Sequence, residues 1–233
     1  MRKTLFSGIA ACLLATAATA AEQSPSVIWT VGQADRSASE FALAPDRFRD
    51  FLANDFGYED KYFLVGHSVP AADFPYVLPG PADTWGGTWP TSGWRTHQVN
   101  ILFGLKEIPS DGTCTLVVDL LDYAKNFLPL VKVSVNTQDA KFQLDAPGLC
   151  VADQRKPNQM EKIVDTLSIT GNLAKATPRR LEIPIRPGVL KAGGNEVTIT
   201  VLEGSWILFD RVSLEGPCLL YTSPSPRDMR RSR

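Results

Sequence analysis

The chain has 233 residues, with 24 lysines and arginines against 25 aspartates and glutamates and a formal net charge of −1. A balance this close to neutral leaves no general positive field for nucleic acid or an anionic membrane surface. The only membrane-like stretch lies at the amino terminus, where Arg2 and Lys3 precede an apolar run from Leu5 to Ala18 that ends in Ala18-Thr19-Ala20. It has the charge and length of a secretory signal peptide, residues 1–20, cleaved after Ala20, and is too short for a membrane span. The competing reading, a lipidated Cys12 after Ile9-Ala10-Ala11, would leave a very short apolar region.

Strand signals dominate the body of the chain. Val27 to Val31 opens it, and Lys61 to Val65 is a second strand candidate. Between them Pro45 to Asn54 has proline near its start and Phe48, Phe51 and Leu52 on one helical face, which predicts one short helix. The segment Asp83 to His97, D-T-W-G-G-T-W-P-T-S-G-W-R-T-H, carries three of the chain's five tryptophans. Glycine and proline punctuate it, so it reads as a long loop. Beyond it Val99, Ile101 and Phe103 alternate with Gln98 and Asn100, a half-buried strand.

Cys114 to Leu121, Leu130 to Val135 and Ala140 to Leu144 continue the pattern, the last two as a hairpin across Asn136-Thr137-Gln138-Asp139. Asp145 to Asp165, with Pro147, Gly148 and Pro157, predicts a surface excursion. Thr166 to Thr170, Arg180 to Ile185, Glu196 to Leu202 and Trp206 to Leu214 complete the strands, with Pro184 marking an edge. Asp111-Gly112 and Gly193-Gly194-Asn195 read as turns. Some ten short strands without alternating helices predict an all-β sandwich or barrel.

From Cys218 to Arg233 the chain reads C-L-L-Y-T-S-P-S-P-R-D-M-R-R-S-R, with no periodicity and no relation to the residues before it. It resembles the translation of a transposase sequencing adapter, so residues 218–233 are expected to be adapter-derived, with the natural protein continuing past Pro217. Setting leader and tail aside leaves 18 basic and 24 acidic residues, a net charge of −6. An anionic ligand would then need a local arginine or lysine. Roughly 190 residues remain, enough for one domain with a sizeable core. Of the cysteines only Cys114 and Cys150 remain. In an exported, oxidising compartment they suggest one disulfide, contributing about 3–4 kcal/mol; two buried thiols are the alternative. No Cys/His spacing for zinc occurs.

Ile28-Trp29-Thr30-Val31-Gly32-Gln33-Ala34-Asp35-Arg36-Ser37, with Glu40-Phe41 after it, resembles the opening of the third domain of the rhamnogalacturonan lyases, a polysaccharide lyase family. Gly193 to Thr200 and Trp206 to Glu215 resemble its closing strands, and those of galactose-binding-like sandwiches more loosely. The resemblance spans about Val27 to Gly216 and implies a jelly-roll β-sandwich similar to carbohydrate-binding modules, over residues 27–217. In that family the catalytic lysine and histidine lie in another domain, so no position here inherits them and no catalytic residue is assigned. There the module follows its catalytic domain, whereas here it follows the leader directly. A downstream catalytic domain is the implied missing partner.

The resemblance directs attention to aromatic side chains as platforms for the apolar faces of sugar rings. Trp85, Trp89 and Trp94 supply them, with Tyr76 just before. Arg95 would pair with a uronate carboxylate, and Asp83 would accept hydrogen bonds from hydroxyls. Trp94, nearest the following strand, is the one expected to pack, whereas Trp29 and Trp206 sit in apolar strand patterns and read as core. His97 points toward the core or a rim, and His67 begins a loop.

The expected function is a secreted or periplasmic module that binds or positions a pectic, uronate-containing polysaccharide, with no cofactor. A structural calcium is conceivable, but no acidic run marks one. Two alternatives stay open: a self-contained β-eliminating lyase using Arg95 and His97, and a scaffold that packs on a catalytic domain without touching sugar.

Overall fold

The computed structural model describes residues 26–45, 47, 61–83, 98–108, 113–145, 168–217 and 219–220. Its strands are β1 (Val27–Gly32), β2 (Lys61–Leu64), β3 (Val77–Leu78), β4 (Gln98–Glu107), β5 (Thr115–Tyr123), β6 (Leu130–Val135), β7 (Gln138–Gln143), β8 (Arg179–Pro184), β9 (Gly193–Glu203), β10 (Ile207–Glu215) and β11 (Leu219–Leu220). They form two sheets. One runs β1-β10-β5-β8 with β3 added beside β10, and the other β11-β4-β9-β6-β7 with β2 added beside β4. All pairings are antiparallel except β2 with β4. Consecutive strands pass between the sheets at nearly every connection, the jelly-roll arrangement of a β-sandwich.

The alternating residues explain the layers. Val99, Ile101 and Phe103 of β4 are each at most 1 % exposed, and Val131, Val133 and Val135 of β6 are fully buried. Leu116 and Val118 of β5, in the other sheet, belong to the same core. Trp29 of β1 meets Phe103 of β4 with ring centroids 5.2 Å apart, so the two sheets touch through this pair. Trp29 and Trp206 are core residues, as their patterns predict. Pro184 closes β8, an edge strand, where its missing N–H costs no ladder bond.

Several boundaries differ from expectation. The hairpin turns on Asn136-Thr137 alone, because Asn136 takes φ 49° and lets Gln138 pair with Val135 at once. Residues 168–170, expected in a strand, form a turn closed by the Gly171 N–H on the Ser168 carbonyl at 3.0 Å, with Gly171 at φ 92°. Gly193-Gly194-Asn195 is the start of β9 and not a turn. Leu219–Leu220, inside the stretch set aside as adapter-derived, pairs with β4. The one described helix, α1 (Pro70–Asp73), is a single turn with proline first, and its Asp73 carboxylate accepts the Val69 N–H at 2.7 Å. The predicted helix Pro45 to Asn54 lies almost wholly outside the described residues.

Asn195 does more than begin a strand. Its Oδ1 accepts from Asn136 Nδ2 at 2.8 Å and Lys191 N at 3.0 Å, while its Nδ2 donates to the Lys191 carbonyl at 2.8 Å and the Gly193 carbonyl at 3.0 Å. Asn136 Nδ2 also donates to the Val189 carbonyl at 2.7 Å. The amides thereby tie the 185–192 loop to the β6–β7 turn and give the backbone of Val189 and Lys191 hydrogen-bond partners outside any ladder.

At the other edge, the Gly32–Ser37 loop folds over Asp210. The Arg36 N–H donates to Asp210 Oδ1 at 3.0 Å, with Arg36 itself at φ 64°. Gly32, at φ 81°, has no room for a Cβ, which would meet Phe41 and stand 2.5 Å from the Asp210 carbonyl oxygen. Burial pushes the Asp210 carboxyl up to about 6, against the pull of the Arg36 and Ser37 N–H groups.

This packing sets three expected outcomes. Gly32→Ala should destabilise by about 2–4 kcal/mol, read as a lower urea midpoint at unchanged slope. Asn195→Ala should cost about 2–4 kcal/mol by the same measurement, since it leaves several polar partners unpaired. For Asp210 the folded carboxyl holds its proton to higher pH than the unfolded one. Its contribution to stability therefore falls as pH rises from about 4 to about 6 and is constant outside that window. The stability of Asp210→Asn relative to the natural chain should rise across that window, and a flat difference would contradict it.

Candidate functional site

Of the residues expected to meet a ligand, Trp85, Trp89, Trp94 and Arg95 lie outside the described residues, as does His97. The flanking residues Asp83 and Gln98 are described, and both stand toward one end of the sandwich. Gln98 pairs with Thr200 near the end of β9, and Asp83 packs on the turn after β9.

Asp83 is 6 % exposed. Its Oδ2 accepts the Gly80 N–H at 2.8 Å, and its Oδ1 accepts the Ser205 hydroxyl. The Ala82 N–H donates to the Gly204 carbonyl at 2.9 Å. Gly80 permits this approach because a Cβ there would stand 2.5 Å from the Gly204 oxygen. Gly204, at φ 79°, lies equally close to the next segment, where its Cβ would be 2.7 Å from the Phe127 oxygen. The Ser205 N–H donates to that same oxygen at 2.9 Å. Three chain segments, 79–83, 124–129 and 204–206, are therefore locked together around one carboxylate. The expectation that Asp83 accepts from sugar hydroxyls is corrected: both its oxygens serve protein donors inside this lock.

Tyr76 is corrected as well. It is fully buried, its carbonyl accepts the Phe209 N–H at 2.9 Å, and burial pushes its phenol well above the usual range. A ring in that position has no face to offer a sugar. It precedes β3, whose two residues are both buried against β10, and this local apolar run was the available signal.

The same end carries a charged group that sequence reasoning missed. The Tyr123 hydroxyl donates to the Asp145 carbonyl, Arg179 pairs with the Asp145 carboxylate, and Lys125 pairs with Asp122. Asp122 also accepts the Thr177 N–H at 2.9 Å, and Lys125 Nζ stands 5.2 Å from the Tyr123 ring centroid. The cluster joins the start of β8 to the end of β5 and stiffens the rim of the sandwich. Only the pairing of β5 with β8 brings these residues together, so spacing along the chain gave no sign of it.

Cys114, one end of the expected disulfide, is buried beneath Gly216, and Cys150 lies outside the described residues. On the outer face of the first sheet Arg211 and Arg180 share Asp119, with Arg211 Nε at 2.9 Å and Arg180 NH1 at 3.2 Å. Glu182 and Glu215 complete this network, which is a structural one.

Residues 27–214 match the family model described as CBM-like, polysaccharide lyase family 4, domain III. No curated protein matches the chain. Among solved structures, the chain is similar to a family GH115 4-O-methyl-α-glucuronidase with specificity for decorated arabinogalactans. Identity is 15 % and the TM-score 0.32, over 52 % of this chain and 13 % of that enzyme. It is also similar to a family 35 carbohydrate-binding module from an environmental isolate, at 12 % identity and TM-score 0.33, over 56 % of this chain and 73 % of that one. Latent PorU from Porphyromonas gingivalis matches at 10 % identity and TM-score 0.28, over 53 % of this chain and 10 % of its own.

The lock around Asp83 makes a stability prediction of its own. Ser205→Ala leaves one carboxylate oxygen of Asp83 without its hydroxyl donor, and it should lower stability by about 1–3 kcal/mol in urea unfolding. Unchanged stability would remove Asp83 from this structural role.

Proposed function

Since the chain belongs to the CBM-like domain III of polysaccharide lyase family 4, we propose that it is an exported module that holds a pectic, uronate-containing polysaccharide for a catalytic domain following it in the natural protein. It makes and breaks no bond itself. By retaining polymer beside the catalytic part, it raises the local substrate concentration there.

The observation that carries this reading is the lock around Asp83. A segment with three tryptophans and an arginine starts from a root held by Gly80, Ser205 and Asp83, on a turn pinned to the neighbouring loop. A long aromatic segment costs less entropy to order on a ligand when its root is already fixed. In this reading Trp85 and Trp89, flanked by glycine and proline, stack on sugar rings. Arg95 pairs with a uronate carboxylate through its planar fork. Trp94 packs against the sandwich where the chain returns to β4.

Affinity electrophoresis of the full chain in gels containing rhamnogalacturonan tests the reading. Retardation is expected, and Trp85→Ala and Trp89→Ala should each reduce it severalfold at unchanged thermal midpoint. A folded chain that runs unretarded in every pectic gel would leave the scaffold reading, which the inward positions of Tyr76 and Asp83 favour. Steady release of unsaturated products that is abolished by His97→Ala would instead identify a self-contained lyase.

A further inference from the structure

Two polar rows cross the outer face of the second sheet. Val99 and Ile101 of β4, Val197 and Ile199 of β9, and Val133 and Val135 of β6 are fully buried between the sheets, so alternation turns Asn100, Thr198 and Ser134 outward. The register sets these three level with one another and with Asp139 of β7: Asn100 faces Thr198, Thr198 faces Ser134, and Ser134 faces Asp139. Beside them Thr200, Lys132 and Lys141 form a second row on the same face.

Two features set this face apart. At its β6–β7 end Lys132 and Lys141 stand directly opposite each other, an arrangement in which like charges repel. Asp139 offsets part of that repulsion: it accepts the Ser134 hydroxyl at 2.7 Å and pairs with Lys132 at 3.0 Å, and these partners hold its carboxyl below the usual range. Lys141 is exposed and joins no ion pair among the described residues. A carboxylate arriving from solvent would relieve what repulsion remains. On the outer face of the first sheet, by contrast, Arg180 and Arg211 are both closed onto carboxylates.

At the β4 end, Asn100 is 2 % exposed. Its Oδ1 accepts the Thr198 hydroxyl at 2.9 Å, and its Nδ2 has no partner. That hydroxyl serves only one of the two amide atoms, so turning the amide over would still leave one atom without a partner. A buried amide atom left so is costly, and a hydroxyl reaching it from the solvent side would complete it. Asn100 and Lys141 are three strands and two residues apart, on the order of 15 Å. One sugar cannot reach both, but a run of linked sugars lying across the strands can.

We propose that the outer face of β4, β9, β6 and β7 is a binding surface for a uronate-bearing polysaccharide, with the Asn100 amide bonded to a sugar hydroxyl and Lys141 paired with a uronate carboxylate. The proposal rests on the polysaccharide-binding reading above and adds to it a surface on the sheet itself, with two residues that hold the ligand there.

The test runs the full chain in gels containing rhamnogalacturonan, either untreated or with its carboxylates chemically reduced to alcohols. Lys141→Ala should weaken binding to the untreated polymer about two- to fivefold at low salt, an effect that fades as salt is raised. It should leave binding to the reduced polymer unchanged. Lys141→Arg should retain binding, and Lys175→Ala, which removes an exposed lysine elsewhere, should not alter it. Asn100→Leu should weaken binding to both polymers about three- to tenfold. Its thermal midpoint should stay level or rise, because an apolar side chain replaces an amide with an unpartnered atom. The proposal is overturned if Lys141→Ala binds the untreated polymer like the natural chain or loses as much on the reduced one. It is equally overturned if Asn100→Leu binds normally, or binds less only because its midpoint falls. A natural chain that is not retarded at all would instead remove the polysaccharide reading, and this proposal with it.

Discussion

One apolar layer, shared by two sheets that the chain visits alternately, is the constraint on which the rest of this molecule depends. Every connection between consecutive described strands except the β6–β7 hairpin crosses from one sheet to the other. No sheet can therefore form by local folding alone, and the strands are held only when both inner faces are buried together. The contact of Trp29 with Phe103 is that closure in miniature, joining the first strand of one sheet to a central strand of the other. Central strands are completed piecewise: β10 takes β1 along one half of an edge and β3 along the other, and β4 takes β11 and β2 in the same way.

Repeated crossing creates a second demand at the ends of the sandwich, where backbone leaves one ladder before entering the next. The molecule meets it with buried polar side chains in place of further strands. Asn195, Asn136 and Gln138 hold one end, and Asp83 with Ser205 holds the other. Asp210 grips the Gly32–Ser37 loop at the edge. Each stands where backbone groups lack a ladder partner, and in such places an amide or carboxylate stabilises more than an apolar residue would. One of these locks lies in the amino-terminal stretch from Gly32 to Phe41. Gly32 provides the close approach to Asp210, Arg36 the N–H, and Phe41 the ring that packs beside them.

These locks also bear on the proposed function. A ligand-binding loop can be long provided its roots are fixed, and the sandwich end at Asp83 is held by a carboxylate, two close-approach glycines and a rim of ion pairs.

Much of the fold was legible in the chain itself. Alternation every second residue located β4, β6, β8 and β10 to within a few positions, because burial of one sheet face leaves that imprint directly. The same reasoning identified Trp29 and Trp206 as core. It failed where the deciding partner is remote along the chain. Gly193-Gly194-Asn195 has turn composition, yet β4 pairs with it and draws it into β9. Tyr76 and Asp83 resemble site residues by their neighbourhood, yet β10 and the turn at Ser205 draw both inward. The class of fold and the residues able to face its core are thus written in the order of the amino acids, because periodicity is a local property. Which polar and aromatic side chains reach solvent is not written there, because it is settled by whichever distant strand arrives beside them.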